Sequence, residues 1–286
     1  MANQVMITTD STTDLGPELI ERYHIATLPL CITLSDGTYR DGIDMTPDII
    51  YDHYEKNREL PKTAAPNLED CREFFRKYTE QGFDIVHYTI SSDMSSTFNN
   101  CRLAAEEFPG VTCVDTQNLS SGGGLVALHG AEMAAAGKSA EEIVKECEAM
   151  IPNVDASFVI DNLEFLYKGG RCSALAAFGA NLLKLKPMIE VKNGKMGVGK
   201  KYRGKFEAVL REYVKERIGD GSDLVPDHVF VTHAGVDDAL AQSIGDLVME
   251  CFPFKHLHIT KASCTISSHC GRNTLGVLFV RKSPIA

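Results

Sequence analysis

A dense group of hydroxyl side chains is the first feature of this chain that could do chemistry. Five of the seven residues from 91 to 97 are serine or threonine, in the run Ser-Ser-Asp-Met-Ser-Ser-Thr. They follow an apolar, strand-like run and lead into a helical pattern, where free backbone N–H groups and the helix dipole favour a carboxylate or phosphate. Capping the helix would need only one or two hydroxyls. An anion site and a simple cap are therefore both open on these residues alone.

Two other polar segments in the first half are candidates for a site. Asp10, Ser11 and Thr12 follow the first strand-like run, at the sheet edge where ligands of open α/β sheets bind, although Ser11 or Thr13 could simply cap a helix. Thr63 stands in Lys-Thr-Ala ahead of a predicted helix. Taken by itself, Thr63 is interpreted as a solvated loop residue.

Two segments in the second half combine small residues with a cation or a histidine. Gly169 and Gly170 suit a left-handed helix cap or a close backbone approach, and Arg171 could be an ordinary cation at a helix end. His269 lies in what is predicted to be a polar turn, residues 267–273. A lone histidine is more often structural than catalytic, so the sequence alone favours a structural role.

A glycine run gives the alternative function. Ser-Ser-Gly-Gly-Gly, ending in Gly122, Gly123 and Gly124, lies between a predicted strand and a predicted helix, as a phosphate-binding loop would. It lacks both the Gly-Lys-Ser/Thr ending of a P-loop and the Gly-x-Gly-x-x-Gly pattern, so a nucleotide-dependent phosphotransferase is the weaker interpretation. The sequence shows no His/Cys/Asp/Glu group with metal-ligand spacing, and neither a metal nor a cofactor is predicted.

Composition bounds the class of protein. The formal net charge is −10 over 286 residues, and no run of lysine and arginine occurs, which argues against a nucleic-acid partner. No apolar stretch approaches the roughly 18 residues of a membrane span, and the start lacks the pattern of a signal peptide. The nine cysteines are scattered and never form Cys-x-x-Cys, which is typical of reduced thiols. A cytoplasmic protein is expected.

The first half alternates strand-like and helical patterns, which favours a largely parallel sheet covered by helices. Strands are predicted over residues 5–9, 25–34, 85–90 and 111–114, and helices over residues 47–56, 68–81, 97–107, 123–136 and 140–150. Ser139 is a good N-cap for the last of these helices, and Gly137 ends the one before it.

The pattern changes after residue 153. Strands are predicted over residues 156–160, 188–191, 195–202, 228–232, 257–261 and 275–280, and helices over residues 174–184, 206–215 and 238–251. Asn193 and Gly194 are a hairpin signal. The fold class is therefore α/β in two domains: residues 1–155 as a Rossmann-like parallel sheet with flanking helices, and residues 156–286 as a mixed or antiparallel sheet with helices.

Taken together, these segments resemble the DegV family of bacterial fatty-acid-binding proteins, in order and across nearly the whole chain. The most specific matches are Leu-Glu-x-Leu-x-x-Gly-Gly-Arg at residues 163–171 and Ser-Ser-x-x-Ser-x-Thr at residues 91–97. The opening Asp-Ser-Thr at residues 10–12, Lys-Thr-Ala at residues 62–64, Asp115-Thr116 and His269-x-Gly271 complete the set.

The resemblance implies a DegV fold that encloses a palmitate-like chain between its two domains. It places the carboxylate on Thr63 and Ser95 and makes Ser96, Thr97 and His269 further candidates for the fatty-acid site. Burying about 14 methylenes at ~0.8 kcal/mol each contributes on the order of 11 kcal/mol before association costs, so the tail would supply affinity and the head group orientation. Apolar residues that could line such a tunnel are Phe178, Leu182, Leu183, Leu185 and Met188.

The resemblance also implies partners. Some family members are carrier subunits of a two-component fatty acid kinase, whose separate ATP-binding subunit makes the acyl phosphate. There, the residues matching Arg171, Arg203 and His269 lie near the head group or assist transfer. The chain is thus expected to bind and present lipid, with transient membrane contact for exchange and no turnover of its own.

Two motifs depart from the family pattern, at three residues. Ser96 stands where glycine is usual, and Arg272 and Asn273 replace a usual Pro-Gly. Asn273 can still adopt a left-handed conformation, whereas Arg272 adds bulk and charge near the expected transfer site. We expect these changes to have little effect on lipid binding and a larger effect on coupling to a kinase.

Overall fold

The computed structural model describes residues 3–172 and 185–285. The predicted helix over residues 174–184 lies outside the described residues, as do the tunnel candidates Phe178, Leu182 and Leu183.

The first half contains a parallel sheet, helices and one small additional sheet. Its strands are β1 (Gln4–Asp10), β2 (Ala26–Leu28), β3 (Cys31–Leu34), β4 (Gly37–Arg40), β5 (Lys62–Ala64), β6 (Phe83–Thr89) and β7 (Val111–Asp115). Its helices are α1 (Pro17–Arg22), α2 (Pro47–Asn57), α3 (Leu68–Thr79), α4 (Thr97–Ala105), α5 (Ser120–Ala135) and α6 (Ala140–Met150). The helix α6 has the predicted bounds, because Ser139 caps it and forms a reciprocal capping box with Glu142.

The main sheet of this half has the strand order β2-β1-β6-β7, and every neighbouring pair is parallel. The parallel sheet was thus correctly predicted. The prediction of one strand over residues 25–34 was wrong: the chain turns at Pro29 and Leu30, so that β2 joins the parallel sheet while β3 joins a second sheet.

The second sheet places Thr63. It has the order β4-β3-β5 and is antiparallel, and Thr63 of β5 lies opposite Ile32 of β3. The interpretation of Thr63 as a solvated loop residue was therefore wrong. Pairing with a strand so far away along the chain holds Thr63 in an extended backbone, and it leaves no local pattern in the sequence.

The second half forms one mixed sheet. Its strands are β8 (Val154–Ile160), β9 (Lys186–Lys192), β10 (Lys195–Tyr202), β11 (Leu224–Ala234), β12 (His256–Lys261) and β13 (Thr274–Arg281), in the order β10-β9-β8-β13-β11-β12. Its helices are α7 (Glu164–Gly169), α8 (Phe206–Ile218), α9 (Asp238–Cys251) and α10 (Cys264–Cys270). Only β11 and β12 pair in parallel; the other neighbours are antiparallel. The mixed sheet and the hairpin at Asn193 and Gly194 are confirmed.

The helix α10 replaces the predicted polar turn around His269. Ser263 caps it, and its residues from Cys264 to Ser268 are buried although four of the helix's seven are serine, threonine or histidine. A short buried helix of this composition lacks the apolar periodicity by which helices are recognised in sequence. His269 lies in its last turn.

One apolar core joins the two larger sheets. The helix α5 is buried along most of its length and contacts β1 and β6 on one side and β8, β11 and β13 on the other. A helix that is apolar or small on all sides is typical of such a position between layers. The first strand of the six-stranded sheet, β8, begins at Val154, close to residue 155. The division into domains of residues 1–155 and 156–286 stays a prediction.

Across residues 3–172 and 185–285, the structure contains no helix that is both long and apolar enough to cross a membrane.

Candidate lipid site

A cavity of about 300 Å³ brings several of the predicted site residues together. Among the described residues, its polar lining consists of Thr63, Ser95, Ser96, Arg171, Thr265 and His269. Its apolar lining consists of Leu30, Ala64, Ala65, Ile90, Met94, Leu119, Leu166, Met196, Ile266 and Cys270. The cavity therefore combines a majority of apolar side chains with a few hydroxyls, one imidazole and one guanidinium, the usual composition of a small-molecule site.

Thr63 and His269 form a direct pair at this cavity. Thr63 Oγ1 lies 2.9 Å from His269 Nε2, although the two residues are 206 positions apart in the chain. The threonine lies on β5 of the small sheet and the histidine in the last turn of α10. Their contact therefore joins two elements that are far apart in the sequence.

The imidazole of His269 is neutral at physiological pH. Burial, with the positive charge of Arg171 as a second cause, lowers its pKa to about 4. Its Nδ1 is buried and has no hydrogen-bond partner within the described part of the chain. A neutral imidazole has one N–H to donate and one nitrogen that accepts, so the ring can help to hold either a hydroxyl or a carboxylate.

Gly169 makes the position of His269 possible. A Cβ atom at Gly169 would collide with Nδ1 of His269. The close approach explains why a glycine ends α7 opposite the imidazole. The sequence prediction of a close backbone approach was right, but which side chain approaches could not be read from the sequence.

Ser95 is oriented by its neighbours. Its Oγ lies 2.8 Å from Thr97 Oγ1 and accepts a hydrogen bond of 3.3 Å from Thr97 N. Thr97 itself is fully buried and, within the residues described, is not part of the cavity lining. Ser96 is exposed and lies at the cavity. Of the three predicted residues, Ser95 and Ser96 thus reach the cavity, while Thr97 positions Ser95.

The two arginines predicted to assist transfer lie in different places. Arg171 lines the cavity, is exposed, and donates a hydrogen bond of 2.8 Å to the carbonyl of Gly169. Arg203 is also exposed and follows β10. In the regions that the structure covers, Arg203 is absent from the lining of this cavity.

The Asp-Ser-Thr segment at residues 10–12 holds the backbone of residues that line the cavity. Asp10 is fully buried and accepts hydrogen bonds from Thr12 N, Thr12 Oγ1 and Ile90 N, which fixes the end of β6. Burial raises the pKa of Asp10 to about 6 despite these bonds. Ser11 donates to Asp41 Oδ2 and accepts from Leu30 N. These contacts assign Asp10 and Ser11 a structural role.

Asp41 is a supporting residue that the sequence did not reveal. Its buried carboxylate accepts hydrogen bonds from the first two backbone N–H groups of α10, those of Cys264 at 2.8 Å and Thr265 at 2.9 Å. It also accepts from Thr265 Oγ1 at 2.6 Å and from Ser11 Oγ at 3.0 Å. A carboxylate at a helix N-terminus is favourable for the helix dipole. Asp41 therefore sets the position of the helix that carries His269.

The glycine run does not form an open loop. Gly122, Gly123 and Gly124 lie inside the first turns of α5 and are buried. Cβ atoms at Gly122 and Gly124 would collide with Asn118 and with the carbonyl of Thr13. The prediction that this run lies between a strand and a helix was therefore wrong. These glycines allow close helix packing and leave no room for a phosphate.

The fold and the site define a protein of the DegV class, and the chain belongs to that family: the family model described as "Uncharacterised protein, DegV family" matches residues 4–282. A DegV domain-containing protein of Streptomyces coelicolor is 31% identical over 281 residues, covering 97% of this chain and 99% of the relative. One from Deinococcus radiodurans is 29% identical over 279 residues, covering 96% and 97%.

Solved structures share the fold along almost their full length. A DegV family protein of Thermus thermophilus, described by its fatty acid binding, superposes with a TM-score of 0.88 at 30% identity and covers 97% of this chain and 99% of its own. DegV of Bacillus subtilis, described as a fatty acid binding protein, gives 0.84 at 28% identity, with 98% and 100% covered. A Thermotoga maritima protein described as revealing fatty acid binding function gives 0.84 at 27%, with 97% and 99% covered.

Proposed function

We propose that the protein binds one long-chain fatty acid, such as palmitate, in the cavity lined by Thr63, Ser95 and His269. The observation that carries the proposal is the composition of this lining, which combines hydroxyls and a neutral imidazole with a larger number of apolar side chains. Hydroxyls of Thr63 and Ser95 donate to the carboxylate, and the apolar residues enclose the tail.

The polar groups suit a carboxylate head. Ser95 and Thr63 each carry a hydroxyl that can rotate toward an anion, and hydrogen bonds to a charged group contribute about 1.5–3 kcal/mol each. Arg171 at the rim supplies a positive charge without being buried. The related fatty acid binding proteins of Thermus thermophilus and Bacillus subtilis support the same ligand class.

The direct test is chemical. Small molecules released from the denatured, purified protein are identified by mass spectrometry, and a fatty acid of 14 to 18 carbons is expected in about one copy per chain. Adding palmitate to delipidated protein should raise Tm, because a ligand that binds only the folded state stabilises it by mass action. A protein that carries no lipid and shows no shift with palmitate or oleate would overturn the proposal.

Removing the head-group donors tests the assignment of the carboxylate. Ser95→Ala and Thr63→Ala are each expected to weaken palmitate binding about tenfold or more, because each removes one hydrogen bond to a charged group. Binding is measured by isothermal titration on delipidated protein. Ser92→Ala is the matched control, since Ser92 lies in the same segment but is exposed and outside the cavity lining. Normal affinity in the double variant would place the head group elsewhere.

We also propose that the bound acid is presented to an ATP-binding kinase subunit, with Arg203 in the docking surface. Arg203 and the nearby Lys205 form an exposed basic segment on a protein of net negative charge, whereas Lys200 is paired with Glu212 and Glu216. Such a segment suits an acidic partner surface.

The cytoplasm is the proposed location, with transient membrane contact during lipid exchange. The thiols of Cys71 and Cys101, 3.6 Å apart and hydrogen-bonded to each other, fit a reducing compartment.

Arg203→Ala is expected to retain palmitate affinity and to lose acyl-phosphate formation with a cognate kinase subunit. The guanidinium lies away from the cavity lining, so its removal leaves the head-group contacts in place. Acyl phosphate made from ATP and palmitate is measured beside a binding titration, with the exposed Arg76→Ala as control. A parallel loss of binding and transfer would make Arg203 a head-group ligand instead.

A further inference from the structure

Three histidines meet at one end of the six-stranded sheet, away from the lipid cavity. The parallel register of β11 and β12 places His228 opposite His256 and Phe230 opposite His258. Because residues two apart on a strand point to the same face, all four rings lie on one side of the sheet. The rings of His228 and His256 stack at 4.7 Å between centroids, and those of His228 and His258 at 5.1 Å.

One carboxylate, that of Asp227, lies beside these histidines. Asp227, His228 and His256 each offer a ligand atom within 4.8 Å of the other two. Zinc binds nitrogen and oxygen ligands at about 2.0–2.2 Å, so two ligand atoms on one ion are at most about 4.4 Å apart. Small side-chain rotations therefore suffice to bring these three atoms onto one ion.

The surroundings of His228 resemble the outer shell of a metal site. Its Nε2 lies 3.0 Å from Glu132 Oε1, and its Nδ1 lies 2.9 Å from His258 Nε2. A carboxylate that holds one imidazole nitrogen fixes the ring and leaves the other nitrogen for a metal. That second nitrogen is hydrogen-bonded to His258, and a metal ion bound there would replace this hydrogen bond.

The ion pair that a cation would displace at this group is weak. An ion at Asp227 would replace its exposed pair with Lys255, whose charged atoms are 3.6 Å apart, and such pairs contribute little to stability.

A second cavity reaches Asp227 and His228, two members of this group. It has a volume of about 340 Å³ and is lined by Glu132, Asp227 and His228, and also by His129 and Glu146. As far as the structure describes the chain, its lining shares no residue with that of the lipid cavity.

We propose that Asp227, His228 and His256 bind a divalent transition-metal ion of the zinc type, with Glu132 holding Nε2 of His228 and the ion taking the place of His258 at Nδ1. Imidazole nitrogens with one carboxylate are a ligand set that zinc prefers, and calcium and magnesium prefer oxygen ligands alone. No metal-ligand spacing is visible in the sequence because the ligands come from two strands: Asp227 and His228 from β11, and His256 from β12. The spacing His256-x-His258 was the available signal, since it puts two imidazoles on one face of a strand.

The test uses the full-length protein without a histidine tag and with a non-chelating reductant. Zinc chloride is titrated in competition with a chromophoric chelator, and metal content is measured after dialysis. One zinc ion per chain and a higher Tm are expected. His256→Ala and Asp227→Asn, both near the surface, should each weaken binding at least tenfold, since even outer-shell partners are worth 10- to 100-fold, roughly.

His53→Gln is the matched control, because His53 is a partly buried histidine on α2 with an ordinary hydrogen bond to Asn57. It should bind zinc as the wild type does. Cobalt substitution should give a visible absorption band that His256→Ala lacks. If zinc binds equally well to His256→Ala and the wild type, the ion sits elsewhere, and the stacked histidines only cover the edge strand β12. That result, or no zinc binding at all, overturns the proposal, and neither outcome depends on lipid binding.

Discussion

Cys270→Phe is expected to fold and to bind palmitate at least a hundredfold more weakly than the wild type. Cys270 is the last residue of α10 and is 5% exposed. It lines the lipid cavity and also a small cavity of about 20 Å³ behind it, whose lining likewise includes Leu119 and Ile266. These shared residues border both cavities, and we expect the acyl chain to pass along them.

The size of the effect follows from the volume of the ring. A phenyl group at this position takes the place of several methylenes of the tail, and each buried methylene contributes about 0.8 kcal/mol. Displacing four of them costs roughly 3 kcal/mol, which corresponds to somewhat more than a hundredfold in Kd. Affinities for palmitate and for a shorter acid, such as octanoate, are compared by titration. The loss should be much smaller for the short chain.

Cys270→Ala is the matched control, because it removes volume at the same position and leaves the cavity open. It should bind palmitate nearly as the wild type does. The lipid-free Phe variant should keep a cooperative thermal transition, since its ring fills existing space; overpacking of a filled core would instead cost about 1–3 kcal/mol. Wild-type affinity for palmitate in a well-folded Phe variant would show that the tail runs in another direction.

Asp41→Asn is expected to lower the free energy of unfolding by about 3 kcal/mol. The two side chains have the same shape, but the amide nitrogen of asparagine donates where the carboxylate accepts. One carboxylate oxygen of Asp41 faces Cys264 N, and the other faces Thr265 N, Thr265 Oγ1 and Ser11 Oγ. Either orientation of the amide opposes at least one N–H group. A hydrogen bond to a charged group is worth about 1.5–3 kcal/mol, and an unsatisfied buried donor costs about 1–3 kcal/mol.

Urea denaturation of both proteins measures this difference. Asp52→Ala is the control, because Asp52 is an exposed aspartate of α2 whose contact with Arg272 is 3.7 Å long. It should leave the unfolding midpoint almost unchanged. Palmitate affinity should also fall in Asp41→Asn, since α10 carries His269. Equal stability of Asp41→Asn and the wild type would mean that the N-terminus of α10 is held by other contacts.

Local chemistry predicted those elements whose ends are set by neighbouring residues. The helices α6 and α9 and the strand β10 have the bounds expected from the sequence. Ser139 and Asp237 cap the two helices with their own side chains, and Asn193-Gly194 forces the hairpin that begins β10. In each case the determining residue lies within a few positions of the element.

The site was predictable only in part, because its contacts join residues that are far apart in the sequence. Ser95 was visible in a dense run of hydroxyls, whereas Thr63 and His269 entered through the family resemblance. The contact between Thr63 and His269 spans 206 positions, and Asp41 lies 223 positions from Cys264. Such pairs leave no periodicity along the chain. The strand β5 was missed in the same way, because it is short and pairs with the distant β3. The strand β4 pairs with β3 across a two-residue turn, so it was missed because both strands are short.

The position of α5 has a consequence for how the chain folds as it is made. This helix lies between the two larger sheets, and one side of it contacts β8, β11 and β13. During synthesis the parallel sheet and α5 emerge first, and β13 is the last strand to leave the ribosome. Until then, one face of a helix rich in glycine, alanine and leucine has no partner. Such nascent intermediates expose apolar surface and attract chaperones. The six-stranded sheet is therefore the cover that ends this exposure, and through Met196 of β10 it also lines the lipid cavity.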